Sequence, residues 1–546
     1  MKKIICFIIS GLLVSTSFAF TRQDTLRGSN GSGRNWWDVQ HYALDISMDT
    51  ATQSIAGTND IIARVIKQPN DSLQLDLQVP MLLDSVIYGG EQLNFSREGN
   101  VFWIVHAFNG LKIDDTLRLK TYYHGKPRIA KNPPWDGGFI WTKDSTGKPW
   151  VAVACQGLGA SSWWPCKDYQ GDEPDSGMEL AINNGDVIIS NGKEFTDTVV
   201  GVDDVSGEEF KMYLHHESGK IVSPINLYDV TFYLGDYVTW TDTLMGEKGK
   251  LDLTFSVLRY HEQQAREHFK VVKQMLHCFE YWMGPYPFYE DGYKLVEAPY
   301  LGMEHQSAVA YGNQYKMGYL GSDRSGSGVG LLFDYIIVHE SGHEWFGNNI
   351  TAQDVADNWL HEGMTTYAES LFAECAFGKE KAVDFTRGEW KNIRNDRNII
   401  GVKGVNDEGS SDKYDKGSAV MHMIRTIMNN DEQFRQLLRG MNQEFYHQTT
   451  TSKKVEKYIS KFAGYEFSPL FNQYLRTHVI PQLDWYVKHK KLYFRFTNTV
   501  PDFTLPIPIQ SGNKKGIIHP TSEWQHIPWK RTFDIDFSKD FFVKFD

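Results

Sequence analysis

Residues 331–348 read LLFDYIIVHESGHEWFGN, an apolar run that ends in His339-Glu340-x-x-His343. Positions four apart on an α-helix point the same way, so a helix here aims two imidazoles at one point. Imidazole nitrogen suits Zn2+, and a catalytic zinc takes three protein ligands and keeps one position open. The apolar stretch before His339 is long enough for a buried helix, with Gly347 and Asn348 as its stop. Glu340 lies about 100° round the helix from the first imidazole, where it can face a water without binding the ion. The segment DNWLHEGMTTYAESLF, 357–372, reads as a second helix, and 18 residues separate its Glu362 from His343. That is enough chain to turn and lay the second helix beside the first. The spacing therefore predicts a His339, His343, Glu362 site for one Zn2+ per chain, with Asn348 and Glu369 as candidates for orienting the imidazoles.

The rest of the chain divides by hydrophobic period. Alternation of period two runs from about Trp37 to Tyr237, as in Tyr42, Leu44, Ile46 and Met48 and in Leu73, Leu75, Leu77 and Val79, with turn signals between the runs. From about His261 the period becomes helical, placing Phe269, Val272, Leu276 and Phe279 on one face. Helical patterns continue through Arg476, except for a Gly/Ser-rich stretch, Gly321 to Gly330, that reads as a mobile loop. After Pro481 alternation returns at Leu492, Phe494 and Phe496 and at Phe533, Ile535 and Phe537. At 546 residues the chain is too long for one core. The expected fold is multidomain α+β, with a leader at 1–19, an N-terminal antiparallel β domain at 20–247, a mainly helical catalytic domain at 248–480 and a small β-sandwich-like domain at 481–546.

Lys2 and Lys3, the apolar stretch Ile4 to Val14 and the small residues before Ala19 have the form of a cleaved export signal, too short to span a bilayer. The protein is thus expected outside the cytoplasm, periplasmic in a Gram-negative source and otherwise secreted, with no stable membrane insertion. A net charge of -12 and the lack of any basic run argue against nucleic acid as a partner. Cys155, Cys166, Cys278 and Cys375 remain after the leader; they are expected as plain buried thiols, with a Cys155–Cys166 bridge as the alternative.

Further motifs stand in order around the zinc segment. Leu301-Gly302-Met303-Glu304-His305 precedes it, Trp359-Leu360-His361-Glu362-Gly363 follows it, and Tyr414-Asp415-Lys416-Gly417 comes later. Gln156-Gly157 and Trp164-Pro165-Cys166-Lys167-Asp168 lie in the β-rich part. Together with His339-Glu340-x-x-His343 these resemble the zinc aminopeptidase family of aminopeptidase N and leukotriene hydrolase, gluzincin metallopeptidases, over most of residues 40–485. The resemblance implies a thermolysin-like catalytic domain and removal of single residues from peptides with a free N-terminus. It implies Glu304 as acceptor of the substrate ammonium, with Gln156, Gly302 and Met303 completing the substrate contacts. It also implies Tyr414 as donor to the oxyanion, and residues 164–168 as part of an N-terminal segment reaching the active site.

Two departures stand out. Leu301 replaces the family's first Gly and His305 its Asn, which puts a bulkier and a titratable neighbour beside Glu304. Many relatives also carry a large helical C-terminal domain, whereas the residues after 481 suffice only for a small β module, so a more open cleft is expected. The catalytic reading is metal-activated water with Glu340 as general base, the water pKa falling toward about 7. The alternatives are a thermolysin-like endopeptidase in which Glu304 binds no amine, and an inactive peptide- or glycan-binding protein on a peptidase fold.

Overall fold

The computed structural model describes residues 20–106, 108–183, 188–202, 209–529 and 535–545. The first third is built of strands. A long hairpin, Trp37–Asp49 with Ser54–Val65, lies within an eight-stranded sheet that is antiparallel apart from one seam, where Trp37–Asp49 runs parallel to Met178–Asn183. Tyr42, Leu44, Ile46 and Met48 all face the core, as their alternation predicts. The strand Ser72–Asp76 is covered on both faces, so its polar residues are buried too. Gln74 donates to Leu26 O at 3.1 Å, and Asp76 pairs with Arg34. Val79 breaks the alternation at 59% exposure, because the chain has already left the strand before Pro80.

The hairpin Tyr237–Gly246 with Gly249–Leu258 opens a five-stranded sheet completed by Tyr293–Glu297, Val309–Tyr311 and Gly302–Met303. The division expected at 247/248 falls in the turn of this hairpin. Helices cover the sheet. Phe269, Val272, Leu276 and Phe279 are buried as predicted, along Val271–Met283 and the turn that precedes it. Each such side chain contributes on the order of 2 kcal/mol of transfer free energy. Val271–Met283 is joined to the end of the helix Trp359–Phe377 by a Cys278–Cys375 disulfide. That corrects the expectation of plain thiols for this pair; it holds for Cys155 and Cys166, which are free and buried. Burial raises the Cys155 thiol to about 12, so it is not a reactive nucleophile.

The C-terminal residues form two small sheets that bury Leu492, Phe494, Phe496 and Phe537; Phe533 lies outside the described residues. This module is fused to the helices. Their apolar residues form one continuous core, Tyr474 donates to Phe542 O at 2.8 Å, and Arg387 Nε donates to Asp540 at 3.0 Å. The expected leader, 1–19, lies outside the described residues, among which no helix is long and apolar enough to cross a membrane.

Candidate active site

The ligand helix is shorter than its apolar run. Asp334 accepts from Ile336 N and Ile337 N and so starts the helix at Tyr335, and the helix closes at Gly342 with His343 as its C-cap. Residues 329–331 form a separate 3-10 turn. The preceding Gly/Ser loop is tied down: Asp323 accepts from Ser325 N at 2.9 Å and Gly328 N at 2.6 Å.

His339 and His343 turn their Nε2 atoms toward each other at 3.2 Å. Glu362 Oε2 closes the triangle at 3.7 Å from His339 Nε2 and 3.3 Å from His343 Nε2. The Nδ1 atoms are engaged elsewhere, His339 with Glu369 at 2.7 Å and His343 with the Phe346 carbonyl at 2.9 Å. Both partners accept, so each ring carries its proton on Nδ1 and turns the other nitrogen inward. Two ring nitrogens and a carboxylate oxygen thus converge on a point that calls for positive charge. Burial opposes protonation of both imidazoles, yet the neighbouring carboxylates outweigh it and raise both. Burial likewise pushes Glu362 up, but His343 and His339 hold it well below the ordinary carboxylate range. The N, N, O donor set and its geometry fit zinc.

The second ligand helix approaches the next one because neither carries a side chain at the crossing. A Cβ on Gly363 would sit 2.8 Å from Gly417 Cα and 2.8 Å from Lys413 O. That contact seats Tyr414, at the head of the helix Asp415–Met428, with its ring 6.0 Å from that of His339. Burial, then Glu362 and Glu304, keep the Tyr414 phenol well above its ordinary pKa, so it stays a donor. Gly302 answers a second close approach: a Cβ there would meet Glu340 Oε1 and Ile336 Cγ2, each at 2.6 Å. Burial pushes the Glu340 carboxyl up to about 8, and a bound cation would draw it back.

Glu304 is buried and joined to a ligand through one amide. Gln156 Nε2 donates to Glu304 Oε1 at 2.5 Å and to Glu362 Oε1 at 2.9 Å. Tyr228 adds a bond to Glu304 Oε1 at 3.3 Å. Asn348 Nδ2 donates to the Glu304 carbonyl at 2.9 Å and to Glu344 at 3.3 Å, while Glu344 accepts from Ser307 N at 2.9 Å. These bonds tie the loop carrying Glu304 to the residue next to His343. Gln156, Glu304, Tyr414 and the three ligand side chains therefore line one cleft of about 710 Å3, with Glu369 behind His339.

Residues 267–474 match the model described as Peptidase family M1 domain. Residues 267–474 thus carry a peptidase family M1 domain. Leukotriene A-4 hydrolase of Xenopus laevis is 23% identical over 460 residues, covering 78% of this chain and 68% of the relative. Aminopeptidase N of Lactobacillus helveticus is 22% identical over 534 residues, covering 91% of this chain and 56% of the relative. An M1 zinc metallopeptidase of Deinococcus radiodurans, solved with a Tyr-Ser-Ala substrate, shares the fold at a TM-score of 0.63 and 18% identity, over 81% of this chain and 95% of that one.

The catalytic region brings together His339, Glu340, His343, Glu362, Gly302, Met303, Glu304 and Tyr414, and the N-terminal β domain adds Gln156. Three expectations are corrected. Asn348 touches neither imidazole and holds the Glu304 loop instead. Trp164 to Asp168 pack inside the β domain, and of that N-terminal segment it is Gln156 that lines the cleft. His305 brings no titration near neutrality: burial lowers it to about 3, and it bonds to the Tyr233 hydroxyl at 2.9 Å. The cleft also takes Trp135, Arg324 and Arg394, which no motif marks. Trp135 is 62% exposed. The dense Lys131-Asn132-Pro133-Pro134-Trp135-Asp136-Gly137-Gly138 turn was the signal available for it.

The bond from His339 to Glu369 carries a prediction. Replacing Glu369 by Ala removes the acceptor that fixes the His339 tautomer, and zinc affinity should fall about 10- to 100-fold. Chelator competition on the purified protein measures it; an unchanged dissociation constant would show that His339 is oriented without Glu369.

Proposed function

We propose that this chain is an exported aminopeptidase that removes single residues from the N-terminus of peptides. The observation that carries the reading is the Glu304–Gln156–Glu362 chain, an anionic acceptor one amide away from a metal ligand. A substrate ammonium paired with Glu304 puts the first peptide bond, rather than a later one, at the ligand triangle. His339, His343 and Glu362 would hold zinc, which would supply Lewis-acid activation of a water and of the scissile carbonyl. Glu340 takes the proton of the attacking water and passes it to the departing amine. The Tyr414 hydroxyl donates to the oxyanion that develops on the carbonyl. Glu369 and the Phe346 carbonyl hold the imidazoles, and Gly302 leaves room for the substrate backbone beside Glu340. Export is supported by the leader pattern of residues 1–19 and by the Cys278–Cys375 disulfide, a bond that persists in oxidising compartments.

The test is hydrolysis of aminoacyl-arylamides beside their N-acetylated copies, with chelator and with added zinc. Cleavage of the free-amine substrates alone, lost with chelator and restored by zinc, is the expected result. Cleavage of the acetylated copies would make the enzyme an endopeptidase and remove Glu304 as the ammonium acceptor.

A further inference from the structure

Residues 481–546 carry ten Lys or Arg against seven Asp or Glu, a basic excess in a chain whose net charge is -12. Part of that excess frames one sheet of the C-terminal module. Three of its strands, Gln482–Lys488, Lys491–Thr497 and Gln525–Pro528, lie side by side, with Tyr486 opposite Tyr493 and Tyr493 opposite His526. Leu483, Leu492, Phe494 and Phe496 are buried on the inner face, so alternation turns Tyr486, Tyr493 and His526 outward. The Tyr486 and Tyr493 rings stack with centres 4.8 Å apart and an interplanar angle of 9°. Trp524 stands 5.1 Å from Tyr486, and His526 5.4 Å from Tyr493. Tyr486 is 42% and Trp524 44% exposed. Apolar side chains scattered singly over a surface are ordinary, whereas four rings in one open patch mark an interaction site.

Cations edge the patch at one end. Lys488 stands directly opposite Lys491 across the hairpin, a like-charge pairing that costs stability while nothing neutralises it. Lys491 Nζ lies 3.3 Å from His526 Nε2, and Lys514 Nζ donates to the Pro528 carbonyl at 3.2 Å, which brings a third ammonium to the same end. Among the described residues none of these three lysines has an acidic partner. At the other end Arg495 does, donating to Asp484 at 3.2 Å while its guanidinium lies 4.7 Å from the Trp524 ring centre. Unpaired ammonium groups select an anion. Open rings with polar tips suit the flat C–H face of a pyranose, whose hydroxyls then reach the donors at the rim. These features lie on the face of the sheet and not on its edge, where an added peptide strand would pair. We propose that this face binds an acidic polysaccharide, its sugar rings on Tyr486 and Trp524 and its carboxylates at Lys488, Lys491 and Lys514. No residue of the patch lines the catalytic cleft, so a glycan held here leaves that cleft free. The inference stands apart from the aminopeptidase reading.

The experiment titrates polygalacturonate, in which each sugar ring carries a carboxylate, into the purified protein by calorimetry. Neutral dextran, oligo-dT and phosphatidylglycerol vesicles are titrated beside it. Wild type should bind polygalacturonate and not dextran, and binding should weaken as salt is raised. The double variant Lys488→Gln, Lys491→Gln should raise Kd about 10-fold, and so should the double variant Tyr486→Ala, Trp524→Ala. A thermal melt shows whether each variant is folded. Should the ring variant fail that check, Tyr486→Leu, which keeps an apolar side chain on the strand and loses the ring, takes its place with a smaller rise in Kd. No binding of polygalacturonate by wild type overturns the proposal, as does equal binding of dextran. A Kd unmoved by loss of the rings would reduce the patch to bare charge and overturn it too. Tighter binding of oligo-dT or of the vesicles would replace the polysaccharide by a nucleic acid or a membrane surface.

Discussion

Glu340→Gln is expected to lower kcat about 1,000-fold or more while the protein still binds one zinc per chain, in line with the 10²–10⁴ range for a positioned general base. A thousandfold is about 4 kcal/mol of barrier. The change is conservative in volume, which matters because Glu340 is pressed against Gly302 and Ile336 in a buried site. It removes the proposed proton acceptor and leaves the ligand triangle of His339, His343 and Glu362 untouched. KM should move little, since in the proposed reading the ammonium pairs with Glu304 and not with Glu340. Zinc content by metal analysis and steady-state kinetics on an aminoacyl-arylamide check both halves. Hydrolysis undiminished in a zinc-loaded variant would mean that another group takes the proton.

How much of this site could be read from the sequence depends on what each residue's position rests on. His339, Glu340 and His343 were legible because one helical turn fixes their mutual geometry and needs no knowledge of the rest of the fold. Glu362 required one further step, that 18 residues allow a second helix to return, and in the structure Trp359–Phe377 packs back on the first helix with Glu362 beside His339 and His343. Tyr414, Glu304 and Gln156 are different. Their approach to the zinc ligands depends on long-range packing, on glycines that permit helix contact at Gly363 and Gly417 and on the buried anchoring of the Glu304 loop by Asn348 and Glu344. A bare sequence carries no signal for such contacts, so those residues were reached only through resemblance of ordered motifs.

The same distinction explains the fold. Alternation found the strands around Tyr42 and Phe494, where one face is wet and one dry. It failed at Val79, where a strand buried on both faces ends inside the alternating run. The ligand helix came out shorter than its apolar stretch because hydrophobicity reports burial, while the start was set by the Asp334 side chain capping Ile336 and Ile337. The Cys278–Cys375 bridge was equally invisible, since pairing over 97 residues follows from how two helices pack and not from spacing.

Tyr414→Phe should lower kcat about 100- to 1,000-fold with little change in KM, the size found when one oxyanion donor is removed. Phe keeps the ring that stacks near His339 and the head of the Asp415–Met428 helix, so packing is preserved and the hydroxyl alone is lost. Burial and the nearby Glu362 and Glu304 carboxylates hold the phenol protonated, which is the state that can donate. The bond it makes grows as negative charge gathers on the carbonyl oxygen, so its removal should fall on the chemical step and spare ground-state binding. A competitive inhibitor that lacks a scissile carbonyl should accordingly bind the variant as tightly as wild type. If Tyr414→Phe instead raises KM and the inhibitor constant together while kcat holds, Tyr414 contacts the bound substrate and the oxyanion must find its protein donor elsewhere in the cleft.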